Sequence, residues 1–207
     1  MELSYLGAGC IRIATKPSSI IVDPYDNAAG LGNFTAKADV VLKTQASDVK
    51  VDEAKVFDGP GEYEVSGVMI TGVASKLHVD SEAEGERGTI FAIHSDGLAV
   101  VVVGNIAPGL TKDELEALGH VDVLVVPVGG HGLTLDAQGA AQLVSLLEPA
   151  YVVPVHYDDG KTKYAMPQDT PEAFLKEMGS AHPESVAKLK ISGKELPAEP
   201  TVVLLGG

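Results

Sequence analysis

Short apolar runs rich in β-branched residues recur through the first hundred positions, at Ser19–Val22, Val40–Leu42, Val68–Val73, Thr89–Ile93 and Leu98–Val103, with Gly, Pro, Asn and Asp between them. These runs predict strands. The tightest pairing is GTIFAIHSDGLAVVVV, whose two apolar arms flank Ser95-Asp96-Gly97 and predict a hairpin turning there. Past Gly104 the spacing lengthens and helices alternate with strands. Thr111, with Glu114 three residues later, has the form of a capping box and opens a helix Thr111–Leu118 before a strand Val121–Val126. A second helix, Asp136–Leu147, has Asp136 as N-cap and sets Leu143, Leu146 and Leu147 on one face ahead of Pro149. Strand Tyr151–Val155, helix Pro171–Met178 after a Thr170 cap, and strands near Val186–Ile191 and Thr201–Leu205 complete the reading. Strand runs followed by β/α alternation imply a mixed α/β sheet system covered by helices, not an all-β barrel.

With 207 residues, 45% of them apolar, the chain can bury one sizeable core, so one domain spanning 1–207 is expected. Charge narrows the partners. With 29 acidic against 15 basic side chains the net charge is −14, and no Lys/Arg cluster relieves it, so nucleic acid and anionic membrane surfaces should be repelled. Cys10 is the single cysteine, which excludes an internal disulfide and a Cys-type zinc site. The start MELSYLGAG has no basic segment before an apolar stretch, and no apolar run approaches the roughly 20 residues of a membrane helix. A cytoplasmic location is the expectation.

Four stretches taken in order carry a family resemblance: SYLGAGCIRI leading to IIVDPYD, then DGPGEYEVSGVMITGV, then VDVLVVPVGGHGLTLDAQGAAQLV, then EPAYVVPVHYDDG. Together they resemble the metallo-β-lactamase superfamily, and within it the lactonase-like Zn-dependent hydrolase branch. The resemblance implies a four-layer αββα sandwich with a metal site along one edge, built by loops at strand ends. In active members a His-x-His-x-Asp-His loop, a later His, a bridging Asp and a C-terminal His hold two metals, imidazole and carboxylate being the donors that grip zinc while leaving a place for water.

Carried over by position, that motif is degenerate here. The loop after Val40–Leu42 reads TQASDVK, so Gln45, Ser47, Val49 and Lys50 stand where His, His, Asp and His are expected. An amide and a hydroxyl are poor zinc ligands, valine is none, and an ammonium opposes a dication. Shifting the register by one residue offers Asp48 as a carboxylate but still no histidine. The bridging Asp falls on Asn105, in VVVVGNIAP, whose neutral amide lacks the charge that holds two dications together. His78 and His156 survive at family positions, and His131 lies in a loop of the same edge.

From the residues alone, each has a plainer role. His156 reads equally as a hydrogen-bonded strand-end histidine, His78 as the head of an acidic loop, and Asp23 as an architectural carboxylate accepting bonds in the Pro24 turn. Tyr157 and Lys50 are candidate donors at the edge. The leading expectation is a non-catalytic or altered family member that binds a small molecule or a protein at the sandwich edge. The alternative is a phosphoester or lactone hydrolase using a single zinc on His78, His131 and His156, with Asp136 as a further candidate. Homo-oligomers are common in this branch, so self-association is also an expectation.

Overall fold

A computed structural model of the chain describes residues 1–78, 87–180, 183–193 and 195–206. Two sheets pack face to face. In sheet order, the first consists of β13 (Leu189–Lys190), β1 (Glu2–Gly7), β2 (Cys10–Ala14), β3 (Ser19–Val22), β4 (Val40–Leu42) and β5 (Lys55–Phe57). The second runs β12 (Glu184–Val186), β14 (Thr201–Leu205), β11 (Tyr151–Val155), β10 (Val123–Pro127), β9 (Leu98–Val102), β8 (Arg87–Ser95), β7 (Val68–Lys76) and β6 (Gly61–Val65).

The central strands β9, β10 and β11 are parallel, and each is buried on both faces, which is why VLVVP and LAVVV read as unbroken apolar runs rather than alternating ones. Alternate residues divide between two cores. Phe91, Ile93, Val100, Val102, Val125 and Val153 face Ile11, Ile13, Ile20 and Leu42 between the sheets. Their neighbours Ile90, Val101, Leu124, Val126 and Val152 face outward, against Ala140, Leu143 and Val144 of α2 (Ala137–Leu147) and Phe174 and Leu175 of α3 (Pro171–Glu177). The sandwich therefore matches the expected fold. Its outer layer on the six-stranded side is irregular chain: Tyr25, Phe34, Ala36, Ala38 and Val51, with Leu6 of β1, cover Cys10, Ile21 and Val41. Within residues 23–39 only the single 3-10 turn Asn27–Ala29 forms, and Gly30 leaves it in a left-handed conformation, so no longer helix propagates.

Local signals fold as read. Asp96 and Gly97 both have positive φ, as a type I′ turn requires, at the β8–β9 hairpin. Thr111 and Glu114 exchange both bonds of a capping box at α1 (Lys112–Leu118), and Asp136 caps α2 through Gly139 N at 2.7 Å. Thr170 precedes α3 but its side chain accepts no cap bond, Pro171 supplying the start instead. One expectation is corrected: the strand near Val186–Ile191 is two. β12 joins β14 in one sheet and β13 joins β1 in the other, so the stretch crosses the edge of the sandwich.

The parallel strands set up a functional edge. Asp23 follows β3, Thr44 and Gln45 follow β4, Gly104 and Asn105 follow β9, and His156 follows β11. All lie at carboxyl ends of strands, where open α/β sheets place their ligands.

Candidate functional site

At that edge the strand ends enclose a cleft of about 160 Å³, lined among others by Ala8, Asp23, Gln45, Ser47, Asn105 and His156. His156 is anchored from three sides. Its backbone N–H donates to Ala8 O at 2.9 Å, its ring lies 4.7 Å from that of Tyr164, and Nδ1 is 3.1 Å from Gln168 Oε1. Burial holds the imidazole pKa below its ordinary value, with the Gln168 bond opposing, so the ring is neutral at neutral pH.

Asp23 has its carboxylate engaged. Oδ1 accepts the Thr44 N–H and Oδ2 the Thr44 hydroxyl, each at 2.7 Å. The bonds thus go to a residue of the neighbouring strand end, not into the Pro24 turn as the sequence suggested. Burial pushes the carboxyl up to about 6 despite these two bonds, which lower it. Gly104 is required beside this pair: its φ is +61°, and a Cβ there would lie 2.3 Å from Thr44 Oγ1.

The degenerate loop is held by its own substitutes. Asn105 Nδ2 donates to Gln45 Oε1 at 3.3 Å, closing the two amides on each other. Ser47 Oγ accepts Val49 N–H, while its carbonyl takes the ammonium of buried Lys43. Asp48 and Lys50 are exposed and contribute nothing to the cleft lining.

The remaining candidates disperse. His78 donates its backbone N–H to Asn105 O at 3.0 Å, and its ring Nδ1 is buried with no hydrogen-bond partner among the described residues. His131 is exposed, 3.0 Å from Asp169 Oδ1. Asp136 is spent on the α2 cap, and Tyr157 is buried in a stack on Tyr5 beside a second cavity. Among the described residues no three His, Cys, Asp or Glu side chains gather as a metal-holding group, so the set of His78, His131 and His156 with Asp136 is not assembled. His182 and the acidic stretch 79–86 lie outside the described residues.

Backbone strain concentrates here. Ala8, Asp23 and His156, three non-glycine residues of the cleft lining, have φ of 54°, 50° and 51°. Left-handed backbone costs an L-residue about 1–2 kcal/mol and persists where the surroundings enforce it, most often at functional sites. Ala8→Gly removes that cost but adds unfolded-state entropy of about 0.4–1 kcal/mol, for a net gain of about 0.5–1 kcal/mol. Urea denaturation checks it: a midpoint below that of the parent refutes the strain.

Gln168, Thr44 and Lys43 are the functional-edge residues that sequence reasoning missed. Gln168 sits in the polar stretch between β11 and α3, where no periodicity marks it; its only trace in the sequence is the glycine at position 129, which it packs against. A Cβ on Gly129 would lie 2.2 Å from Gln168 Oε1 and 2.4 Å from His156 O.

Comparison with known proteins bears on this geometry. The beta-lactamase superfamily domain matches residues 2–156. A Natranaerobius thermophilus protein named UPF0173 metal-dependent hydrolase is 24% identical over 223 aligned positions, covering 87% of this chain and 98% of its own. A Pyrococcus abyssi protein of the same name is 35% identical over 114 positions, 53% of this chain and 49% of that one. Among solved structures, one from Thermotoga maritima, described within the metallo-beta-lactamase superfamily, superposes with a TM-score of 0.75 at 27% identity, covering 98% of this chain and 97% of the other. The described helices include none long and apolar enough to cross a membrane.

Proposed function

Because the chain belongs to the beta-lactamase superfamily, alongside relatives named metal-dependent hydrolases, we propose that it is a member in which the edge cleft has become a polar binding site for a small molecule in place of a dinuclear hydrolytic centre. The observation that carries this reading is the amide pair. Gln45 and Asn105, at the positions of a ligand histidine and the bridging aspartate, bond each other across the cleft mouth. Neither brings the charge that two dications demand. The remaining donors fit a dinuclear centre no better: each oxygen of Asp23 already accepts a bond from Thr44, and among the described lining residues His156 brings the one imidazole. Chemically the cleft offers amide and hydroxyl donors from Gln45 and Ser47 and acceptors from His156 and Asp23, which suits a small uncharged or cationic polar molecule.

The test is metal content. Purified protein dialysed against Zn²⁺ or Mn²⁺ and then against buffer should retain less than about a tenth of an ion per chain, whereas a site with three or more imidazole and carboxylate ligands holds metal stoichiometrically. Retention of one or two ions per chain overturns the proposal.

A second reading has one observation in its favour. Among the described residues His78 Nδ1 is buried without a hydrogen-bond partner, as an imidazole held for an electrophile would be. On that reading the protein is a phosphoester or lactone hydrolase with one zinc on residual histidines. Turnover of such substrates that appears with Zn²⁺ and vanishes in His156→Ala establishes it.

A further inference from the structure

We propose that Gln168 is a positioning residue that holds His156 in its Nδ1–H tautomer, so that the cleft presents the Nε2 lone pair as a fixed hydrogen-bond acceptor and selects ligands carrying an N–H or O–H at that point. The selection deepens the binding-site reading above and rests on it; the tautomer does not.

The orientation of the Gln168 amide follows from its other end. Nε2 of Gln168 donates to Pro167 O at 2.7 Å and to Met166 O at 3.3 Å. Carbonyl oxygens only accept, so exchanging the two ends would press an amide oxygen against Pro167 O at that distance. Oε1 therefore faces His156 Nδ1 at 3.1 Å. An amide oxygen must receive a proton there, and a neutral imidazole has only one to give. The proton is on Nδ1, and Nε2 carries a lone pair.

The surroundings give that pair its direction. Gln168 is outside the cleft lining, whereas the ring edge bearing Cδ2, next to Nε2, lies 3.6 Å from where a Cβ on Gly9 in the lining would stand. Gln168 itself is only 8% exposed, and the following residue is tied on both sides, Asp169 N–H donating to Gly129 O at 2.8 Å and Asp169 O accepting Asp158 N–H at 3.0 Å. A side chain held this firmly fixes the imidazole that it touches, and a ligand entering the cleft meets an acceptor that cannot turn into a donor.

Nitrogen-15 labelling of the histidine rings tests this in the intact protein at a pH where His156 is neutral. Two-bond proton–nitrogen correlation should show His156 with a protonated Nδ1 and an unprotonated Nε2; the reverse pattern overturns the proposal. Gln168→Leu, which removes the acceptor, should return His156 to the Nε2–H form that free histidine prefers, while Gln168→Glu, which keeps one, should not. Persistence of Nδ1–H in Gln168→Leu removes Gln168 from the role, and if that variant fails to fold, the parent and Gln168→Glu spectra still decide. For the selection, 2-pyrrolidinone, a lactam with an N–H, should move the His156 Nε2 resonance more than N-methyl-2-pyrrolidinone at matched concentration. An equal response, including none from either, overturns donor selection while leaving the tautomer standing; metal retention is read separately and bears only on the binding-site proposal.

Discussion

Gly129→Ala should destabilise the protein by about 3 kcal/mol, at the upper end of the usual cost of forcing one carbon into a packed site. The added Cβ meets Gln168 Oε1 at 2.2 Å and His156 O at 2.4 Å, and the second of these is backbone. A flexible side chain could swing aside, but His156 O belongs to a segment whose N–H is bonded to Ala8 and whose preceding strand is paired in register with β10. Gly129 cannot retreat either, since its carbonyl holds Asp169 N–H and the next N–H is shared by Thr134 Oγ1 and Leu135 O. The strain must therefore go into Gln168 and His156. Gly59→Ala is the control: nothing lies within 4 Å of its Cβ position, and its φ is ordinary, so it should be neutral or gain up to about 1 kcal/mol from a stiffer unfolded chain. Equilibrium urea denaturation of both variants decides the matter. A loss below about 1 kcal/mol in Gly129→Ala would mean that the wall behind His156 yields, and the tight positioning of its ring would have no basis.

What could be read from the sequence and what could not divide along one physical line. Features specified within a few residues were legible: the Ser95-Asp96-Gly97 turn, the Thr111/Glu114 box, the Asp136 cap, and the apolar runs of β9, β10 and β11. Each is a local bargain between backbone groups and nearby side chains, so its signal is printed in consecutive residues. Strands β1, β2, β5 and β6 were not among the predicted elements, because ELSYLG and GEYEV mix small, polar and aromatic residues and owe their burial to the sheet that they join. The division of β12 from β13 was invisible for the same reason: two sheets, not the two intervening residues, decide where each pairs.

The site follows the same division. That Gln45, Ser47 and Asn105 would reach one cleft was legible through the family resemblance, as was His156 at the end of its strand. The gathering of His78, His131 and His156 was expected from segments sharing an edge, but an edge is wide, and His131 turned to Asp169 while His78 stayed with Asn105. The bonds that set the chemistry of the cleft join residues 21 apart in Asp23 and Thr44 and 12 apart in His156 and Gln168. No periodicity encodes such pairs. They depend on strand ends brought side by side by the parallel ladders, which is a property of the finished fold.

Between about pH 4 and pH 6 the protein should lose stability through Asp23 as pH rises, and Asp23→Asn should abolish that loss. The folded carboxyl is raised from 3.8 to about 6, chiefly by burial. Across that window the folded state keeps a proton that the unfolded chain has already released, so stability falls with increasing pH and is lowest, as far as this group is concerned, above about 6. The gap from 3.8 to about 6, at about 1.4 kcal/mol per pH unit, amounts to about 3 kcal/mol. Other carboxylates act in the opposite sense. Asp39, Asp159 and Glu172 are held low by hydrogen bonds and destabilise the fold when acid protonates them, so the raw pH profile is a composite. The difference between Asp23→Asn and the parent isolates the one group. Asparagine keeps an oxygen for Thr44 N–H, and the Thr44 hydroxyl can rotate to accept from its amide, so the change in bonding is a constant offset while the ionisation cost disappears. The variant should gain on the parent steadily from pH 4 to pH 6 and then hold its advantage to pH 7. A flat difference over that range would mean that water entering the cleft already solvates the carboxylate, and a ligand donating a hydrogen bond to Asp23 would find no stored free energy to release.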